Sequence, residues 1–391
     1  MNSLRDIVEL SPQLRVIETQ ATLGLQGQHA AQPLAAPRWD WSNVRKVLFV
    51  RLRSIGDTVL ATPSVFALKR FLPNVAVDIL VEDWVAPLLN NHPHVDNVVV
   101  LERGGFMTRA RVARELRAAN YDVVYNLHGG TTSTFLTRAT GARHRVGFET
   151  YQYAQLHNHQ APSPLLLWGQ QKTHSVEQQL ALLGWTGVPV TDRPRTQLGI
   201  STEATATINE LLSQAGLTGR KIALIHPAAA FATKQWATEN FARIAEVVSE
   251  RGFEPVAIAA ANEKALLEKL RAEASVKITI FDLSLPEVTA LAAESHLFVG
   301  NDSGIAHIAA AVGTPAVVIF GSSNIAHWRP WNSAPAEVVY EEMPCQPCHG
   351  YFCEKFDQPE CILRVPVARV IAAIDRLCRG GPPWPPLDQN L

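Results

Sequence analysis

The chain contains two successive series of short apolar runs, which alternate with segments of helical pattern. In the first series the apolar runs are 47–50, 75–81, 98–101 and 122–127, with helical patterns at 58–71 and 109–119. In the second they are 221–227, 254–259, 278–281, 297–299 and 316–320, with helical patterns at 238–251, 263–274, 285–294 and 304–311. Continuous apolar strands that alternate with helices are typical of parallel sheets covered on both faces. The sequence therefore predicts an α/β fold that contains two such sheets.

The repeat of the strand and helix series predicts two Rossmann-like domains in tandem. A chain of 391 residues has the length of two domains. We expect an N-terminal extension over 1–43, one domain over 44–200, a second domain over 201–378 and a Pro-rich tail over 379–391. Since the carboxyl ends of both sheets can face the space between the domains, we expect the ligand in a central cleft.

Charge and hydropathy exclude several classes of protein. Lys and Arg total 35 and Asp and Glu total 36, so a net charge of −1 provides no overall field to attract nucleic acid. The longest apolar stretch, 305–320, is interrupted by His307, Gly313 and Pro315, which argues against a membrane-spanning helix. Three of residues 5–9 are charged where a secretion signal would be apolar. We therefore expect a cytoplasmic protein without a transmembrane segment.

The segment 51–58 joins the first apolar run to its helix. Gly56 permits a tight turn and close approach of the backbone, and Asp57 falls at the start of the helix. Asp57 can therefore be a helix cap. Alternatively, its carboxylate lies at the carboxyl end of a strand, faces the cleft and acts as a general base. The spacing alone leaves both interpretations open.

A second connection between a strand and a helix, 226–236, combines small residues with a cation. The small side chains between His226 and Lys234 allow backbone N–H groups to approach an anion, and the lysine supplies a point charge. His226 can equally be a hydrogen-bonded histidine at the end of its strand. The pattern is compatible with phosphate binding but also occurs in many other loops.

The third connection, 299–311, begins a helix after Asp302 and Ser303. Both residues are good helix caps, and the N–H groups of the first turn, which starts at Gly304, suit a phosphate. His307 lies one turn into the helix, where a lone histidine among alanines is more often buried packing than a ligand. Phosphate binding and a structural role both fit this segment.

Taken together, the three segments closely resemble glycosyltransferase family 9, the ADP-heptose:lipopolysaccharide heptosyltransferase family. The resemblance spans about residues 44–374 and is carried by RLRSIGDTVLATPSVFALK, HPAAAFATKQW and GNDSGIAHIAAAVGTPAVVIFG, in this order. It implies a GT-B fold, in which two Rossmann-like domains face a central cleft and bind the acceptor and the nucleotide sugar respectively. It also implies an inverting glycosyltransferase that moves a sugar, with heptose from ADP-heptose as the main interpretation, to a lipopolysaccharide-core or related glycan.

The resemblance also implies roles for individual residues. Asp57 matches the residue taken as the catalytic base, Lys234 the ligand of the diphosphate, and Glu263 an acidic residue near the adenosine ribose. The segment that binds the diphosphate and the donor sugar corresponds to Asp302, Ser303, Gly304 and His307, with His226 also on the donor side. The acceptor side corresponds to Gly56, Asn126 and His128.

An inverting transfer needs a base for the acceptor hydroxyl and cationic or N–H groups for the departing diphosphate, without a covalent intermediate. Asp57, Lys234 and the N–H groups at Ser303 supply both, so we expect no cofactor to be required for the chemistry. The expected partners are the nucleotide sugar and a glycan or glycolipid acceptor. A glycolipid acceptor would bring the protein into peripheral contact with the cytoplasmic face of the inner membrane.

Three alanines depart from the family pattern, which often has glycine or serine at these positions: Ala228, Ala230 and Ala259. The first adds a methyl group and the second lacks a hydroxyl donor, so the contacts to the donor are expected to differ. The alternatives are a transferase that uses another nucleotide sugar, a nucleotide-sugar-binding protein whose catalysis has lapsed, and a two-domain epimerase. Asp57 and Lys234 argue against lapsed catalysis, because both are present.

Four of the five cysteines lie close together in sequence, with the spacing C-x2-C-x4-C-x7-C: Cys345, Cys348, Cys353 and Cys361. Four thiolates could bind one tetrahedral Zn²⁺ or iron ion in a structural role, with His349 as an additional ligand. The alternatives are two local disulfides, which a reducing cytosol disfavours, and four thiols that only pack.

Overall fold

Two six-stranded parallel sheets organise the part of the chain that the structure describes. The structure is a computed structural model that describes residues 30–332, 334–348 and 351–379. The first sheet has the order β3-β2-β1-β4-β5-β6 and comprises β1 (Lys46–Val50), β2 (Ala76–Glu82), β3 (Asn97–Leu101), β4 (Val123–Asn126), β5 (His144–Phe148) and β6 (His159–Ala161). The second has the order β12-β11-β10-β7-β8-β9 and comprises β7 (Lys221–His226), β8 (Phe253–Ala257), β9 (Thr279–Ile280), β10 (Leu297–Asn301), β11 (Ala316–Phe320) and β12 (Ala336–Tyr340).

Helices connect the strands and cover both faces of each sheet. Those of the N-terminal half are α1 (Ile55–Val59), α2 (Thr62–Phe71), α3 (Phe106–Ala118), α4 (Thr131–Ala139), α5 (Pro164–Trp168) and α6 (Ser175–Trp185). Those of the C-terminal half are α7 (Thr202–Gln214), α8 (Thr238–Glu250), α9 (Lys264–Glu273), α10 (Leu285–Glu294), α11 (Gly304–Ala311), α12 (Ile325–Trp328), α13 (Glu360–Leu363) and α14 (Val367–Cys378). Short 3-10 helices lie at Trp41–Asn43, Ala86–Leu88, Ala154–Leu156, Ala232–Lys234 and Ala261–Glu263. The α/β fold class predicted from the sequence is confirmed.

The order of the strands determines where a ligand can bind. Each sheet winds in one direction from its first strand and then in the other, so a crevice opens between β1 and β4 and another between β7 and β10. In open α/β sheets ligands bind in such crevices, at the carboxyl ends of the strands. The three sequence segments singled out above follow β1, β7 and β10, and all three therefore lie at these crevices.

The helix expected over 58–71 is two helices, so this prediction was wrong. α1 ends at Val59 and α2 begins at Thr62, with Pro63 in its first turn. A proline at this position has no N–H to donate to the carbonyl of Val59, and its ring would clash with that carbonyl. The break turns α1 into a short separate helix that carries Gly56 and Asp57.

Residues 34–41 of the expected N-terminal extension contact the end of α6 and the residue that follows it. The N–H groups of Leu34 and Ala35 donate to the carbonyl of Gly184, at 3.0 and 3.1 Å. The indole of Trp41 is buried and donates to the carbonyl of Thr186 at 3.0 Å. Within the described residues no helix is both long and apolar enough to span a bilayer. Residues 1–29, His349 and the Pro-rich tail from residue 380 lie outside the described residues.

Candidate active site

Asp57 lies in the first turn of α1, just beyond the carboxyl end of β1. One of its oxygens accepts a hydrogen bond from the guanidinium of Arg51, and the other accepts from the N–H and the hydroxyl of Ser54 at 3.3 and 3.2 Å. Arg51 also donates to the carbonyl of Leu127, which follows β4. The carboxylate of Asp57 keeps 20% of its surface exposed, so it combines a capping contact with access to a ligand.

A cavity of about 290 Å³ lies at the carboxyl edge of the second sheet. Its apolar wall comes from the loop after β8 and from α10 and the residues before it: Ile258, Leu283, Leu285 and Val288. Its polar side comes from His226, Glu263 and Ser303, with small residues at Ala229, Ala230 and Gly304. Ile55 of α1 also lines the cavity, so the first half of the chain borders it two residues before Asp57.

His226 and Glu263 are both held in place at this cavity. Nδ1 of His226 lies 3.2 Å from the hydroxyl of Ser303, and burial lowers the pKa of the imidazole to about 4. His226 is therefore neutral at neutral pH. Depending on the tautomer, its Nδ1 donates a hydrogen bond to the Ser303 hydroxyl or accepts one from it. The Glu263 carboxylate accepts a hydrogen bond from the N–H of Ala260 at 3.0 Å and is half-buried. The expected donor-side residues His226, Glu263, Ser303 and Gly304 thus line one cavity.

Lys234 and Asp302 form an ion pair beside this cavity rather than in its lining. Nζ of Lys234 lies 2.9 Å from a carboxylate oxygen of Asp302, which also accepts a hydrogen bond from the hydroxyl of Ser323 at 2.5 Å. Asp302 is buried, whereas Lys234 remains 21% exposed. The aspartate therefore fixes the position of the lysine, and the lysine keeps N–H groups that can reach an anion.

Helices α1 and α11 pack closely at two glycines. A Cβ atom on Gly56 would lie 2.7 Å from Cδ2 of His307, and one on Gly304 would lie 2.6 Å from Cβ of Ile55. His307 is buried, its Nδ1 has no hydrogen-bond partner in the described part of the chain, and burial lowers its pKa. The predicted catalytic segment and the predicted donor segment are therefore in direct contact.

Asn126 and His128 shape the end of β4. The side-chain carbonyl of Asn126 accepts from the N–H groups of His128 and Gly129 at 3.1 and 3.0 Å, and its amide donates to Thr134 at 3.2 Å. Asn126 is fully buried, and its hydrogen bonds hold the turn after β4. His128 lines a second cavity. Burial lowers the pKa of His128 to about 4.

This second cavity has a volume of about 580 Å³ and lies at the carboxyl edge of the first sheet. Its charged and aromatic lining consists of Arg53, Glu82, Trp84, Glu102, Arg103, Arg109 and His128. A cavity of this size, with cations and an aromatic ring, can bind a polar ligand such as a sugar with acidic substituents.

The alanines that depart from the family pattern differ in their position. Ala228 is buried, with 1% of its surface exposed, and does not line the 290 Å³ cavity. Ala230 and Ala259 do line it. The missing hydroxyl of Ala230 therefore bears on a ligand directly, whereas the methyl group of Ala228 does not.

The segment 345–361, which we call the Cys loop, packs against the loop that carries Lys234. The N–H of Cys348 donates to the carbonyl of Ser322 at 3.0 Å, and the hydroxyl of Ser322 lies 2.9 Å from that of Thr233. The ring of Tyr351 contacts that of Phe231, with centroids 4.5 Å apart. Among the described residues no group of three or more His, Cys, Asp or Glu side chains is arranged to hold a metal ion.

Two residues of the site were missed in the sequence analysis. Arg51 is the partner of Asp57, and an arginine at the end of a strand six residues before a cleft aspartate would have been the signal. Asn301 ends β10, donates to the carbonyl of Pro227 at 2.8 Å and accepts from the N–H of Trp236 at 3.1 Å. It fixes both ends of the loop that contains Lys234. A local sequence pattern cannot predict these hydrogen bonds, because they join residues far apart in the chain.

Comparisons with known proteins agree with this geometry. The family model of glycosyltransferase family 9 (heptosyltransferase) matches residues 109–356, more than half of the chain. Lipopolysaccharide heptosyltransferase 3 of Escherichia coli is 27% identical over 349 residues, which are 83% of this chain and 97% of the relative.

Two solved structures share the fold. The ADP-heptose lipopolysaccharide heptosyltransferase II of E. coli has a TM-score of 0.71 at 21% identity, over 86% of this chain and 99% of that one. The iron-containing dodecameric glycosyltransferase TibC of enterotoxigenic E. coli H10407 has a TM-score of 0.52 at 15% identity, over 88% of this chain and 78% of that one. These matches confirm the GT-B fold, and the chain accordingly belongs to glycosyltransferase family 9, the heptosyltransferases, and is a glycosyltransferase.

Proposed function

We propose that this glycosyltransferase transfers heptose from ADP-heptose to a glycan of the lipopolysaccharide core, with inversion at the transferred carbon. The observation that carries the proposal is the position of α1. Ile55 lines the 290 Å³ cavity together with Ser303 and Gly304 and packs against Gly304, and Asp57 lies in the same turn of helix as Ile55. A nucleotide sugar in this cavity would therefore have its reacting end close to the Asp57 carboxylate.

The cavity suits an adenine nucleotide. The apolar side chains of Ile258, Leu283 and Val288 form a surface on which a base can pack, and Glu263 can accept hydrogen bonds from ribose hydroxyls. The N–H groups at the start of α11 suit a diphosphate. Two relatives support the choice of the sugar, since one is named a lipopolysaccharide heptosyltransferase and the other an ADP-heptose enzyme.

The proposed reaction uses groups that the site contains. Asp57 takes the proton from the acceptor hydroxyl, whose oxygen forms the new bond to the anomeric carbon while the bond from that carbon to the phosphate oxygen breaks. The electron pair leaves with ADP, and the N–H groups of Lys234 and of Ser303 and Gly304 stabilise the added negative charge. Because these groups meet the charge of the leaving diphosphate, the step requires no metal cofactor.

We assign the acceptor to residues 44–200 and the donor to residues 201–378. The 580 Å³ cavity lies within the first range, and its three arginines suit the acidic groups of a core glycan. A glycolipid acceptor would place the protein at the cytoplasmic face of the inner membrane, in peripheral contact.

We further propose that the Cys loop binds one Zn²⁺ or iron ion with a structural role. The Cys361 thiol is buried, and burial together with the thiols of Cys348, Cys345 and Cys353 raises its pKa to about 11. Binding one ion would require the loop to draw the sulfurs together. TibC, which shares the fold, is described as iron-containing, and this gives the proposal further support.

The proposed function is tested with a panel of nucleotide sugars. ADP-heptose should raise the melting temperature more than ADP, UDP-N-acetylglucosamine or GDP-mannose does, because its base, ribose and sugar all find contacts. Incubation with ADP-heptose and a heptose-deficient core acceptor should then release ADP and lengthen the acceptor. A larger rise in melting temperature with a different nucleotide sugar would identify that compound as the donor instead of ADP-heptose. Binding without transfer would indicate lapsed catalysis, and a changed sugar without transfer would indicate an epimerase.

A further inference from the structure

Residues 103–117, which we call the α3 surface, combine exposed apolar side chains with a high positive charge. Phe106 and Met107, at the start of α3, are 81% and 73% exposed. The segment contains five arginines and a single acidic residue, Glu115, so its net charge is about +4, whereas the whole chain has a net charge of −1. The positive charge is therefore local to this part of the molecule.

The helix separates these side chains from the core. Val112 and Leu116 are buried under α3, and Met107, Arg111 and Arg114 follow each other at i, i+4 and i+7 on the side that faces solvent. Arg111 pairs with Glu102 at 2.8 Å. Within the described residues no ion pair is formed by three other arginines of the surface: Arg103, Arg109 and Arg114. Most of the positive charge is thus available to an external partner.

The α3 surface lies at the mouth of the proposed acceptor cavity. Arg103 and Arg109 line the 580 Å³ cavity, and the loop that carries Arg103 leaves the carboxyl end of β3. Further exposed apolar side chains follow the other strands at this edge: Phe135 and Tyr153, whose ring centroids are 5.4 Å apart, and Leu165 and Leu166. Together with Phe106 and Met107, they are six of the eleven exposed large hydrophobic side chains of the described residues.

We propose that the α3 surface binds the surface of a bilayer that contains anionic lipids. Phe106 and Met107 enter the headgroup region, while Arg111 and Arg114 contact lipid phosphates, as in amphipathic elements that lie in a membrane interface. The mouth of the acceptor cavity then faces the membrane. This last consequence rests on the proposed function, because it assumes a glycolipid acceptor, whereas binding to lipid does not depend on it.

A bilayer fits these features better than a folded protein partner does. The apolar side chains protrude in three pairs, Phe106–Met107, Phe135–Tyr153 and Leu165–Leu166, and the segment that carries the first pair also carries five arginines. A deformable surface with dispersed negative charge can meet protruding side chains at several points, whereas a protein partner would require matched pockets.

The test measures sedimentation of the full-length protein with phosphatidylcholine vesicles that contain or lack phosphatidylglycerol, at low and high ionic strength. The parent should bind only vesicles with phosphatidylglycerol, and salt should weaken the binding. Arg111→Gln/Arg114→Gln should lower the affinity by about tenfold or more, and Phe106→Ser/Met107→Ser should also lower it. The matched control is Arg243→Gln/Arg271→Gln, because Arg243 pairs with Glu246 as Arg111 does with Glu102, and Arg271 is exposed like Arg114.

Loss of binding in both α3 variants, with parental affinity in the control and parental ADP affinity in all three, supports the proposal. Equal vesicle binding by the parent and the α3 variants would overturn it. A parent that binds no anionic vesicles at low ionic strength would also overturn it and would leave a protein partner for this surface. Failure of the heptosyl transfer alone, with vesicle binding intact, would count against the proposed donor and acceptor but not against the α3 surface.

Discussion

At the scale of single residues, the proposed catalysis depends on Asp57, whose carboxylate is the hydrogen-bond partner of Arg51. The hydrogen bonds from Arg51 and Ser54 orient the Asp57 carboxylate without burying it completely. A helix cap needs only the contacts to Ser54, whereas a general base must also be reachable by the acceptor hydroxyl. The role of base therefore requires that the Asp57 carboxylate stay accessible, whereas the role of cap does not.

Asp57→Asn should abolish most of the transfer and leave nucleotide binding nearly unchanged. The amide keeps the size of the carboxylate and can still accept from Ser54, but it cannot take a proton, so the rate should fall by more than about 10². Initial rates of transfer and calorimetric titration with ADP measure the two effects. Ser54→Ala is the control, because it removes the capping hydroxyl and leaves the carboxylate. A turnover close to that of the parent would remove Asp57 from the role of base.

At the scale of elements, the contact between α1 and α11 joins the proposed base to the proposed donor segment. Gly56→Ala should lower the free energy of unfolding by about 1–3 kcal/mol, because its methyl group would overlap the imidazole of His307. The same substitution in a His307→Ala background should have almost no effect, since the space is then free. Urea denaturation of the four proteins gives the coupling energy. Equal costs in both backgrounds would show that the two helices are not in contact here.

The Cys loop allows a separate prediction for an element outside the two sheets. Protein purified without chelator should contain about one Zn²⁺ or iron ion per chain, and its removal should lower the melting temperature more than the affinity for ADP. The described residues of the Cys loop contact the Lys234 loop through backbone and ring contacts and do not line the 290 Å³ cavity. We therefore expect metal removal to affect the stability of the protein more than the binding of ADP. Cys361→Ser should reproduce the loss, and Cys378→Ser, which lies outside the loop, serves as control. A metal-free protein with an unchanged melting temperature would contradict the proposal.

The sequence predicted the strands that are continuous apolar runs better than those that polar residues interrupt. β10 and β11 are buried at every residue and therefore appear as continuous apolar runs. The edge strands β3 and β9 lie in apolar runs and were predicted, whereas β5, β6 and β12 were not. Polar residues interrupt the apolar pattern of these three strands: His144 and Arg145 in β5, His159 and Gln160 in β6, and the buried Glu337 in β12. Likewise, the donor-side residues could be proposed from three local segments. The contacts of Asn301 and of Gly56 with His307 could not, because they join residues far apart in the chain.

At the scale of the whole molecule, buried histidines control how stability depends on pH. Burial lowers the pKa of four histidines to about 4: His92, His128, His144 and His226. Their pKa in the unfolded chain is about 6.5, so below this pH the unfolded state binds protons that the native state does not. Their contribution to stability is therefore complete above pH 6.5 and is lost as the pH falls from 6.5 towards 4.

The free energy of unfolding should consequently fall by about 5 kcal/mol between pH 7.5 and pH 5.5, with roughly 1 kcal/mol from His144, which solvent partly screens, and slightly more from each of the other three groups. Urea denaturation at a series of pH values measures this slope. His92→Asn should reduce the difference between the two pH values by about 1 kcal/mol, whatever it does to the absolute stability, because His92 lies outside both cavities and titrates without a ligand. A pH dependence in His92→Asn equal to that of the parent would show that His92 already binds a proton in the native protein within this range.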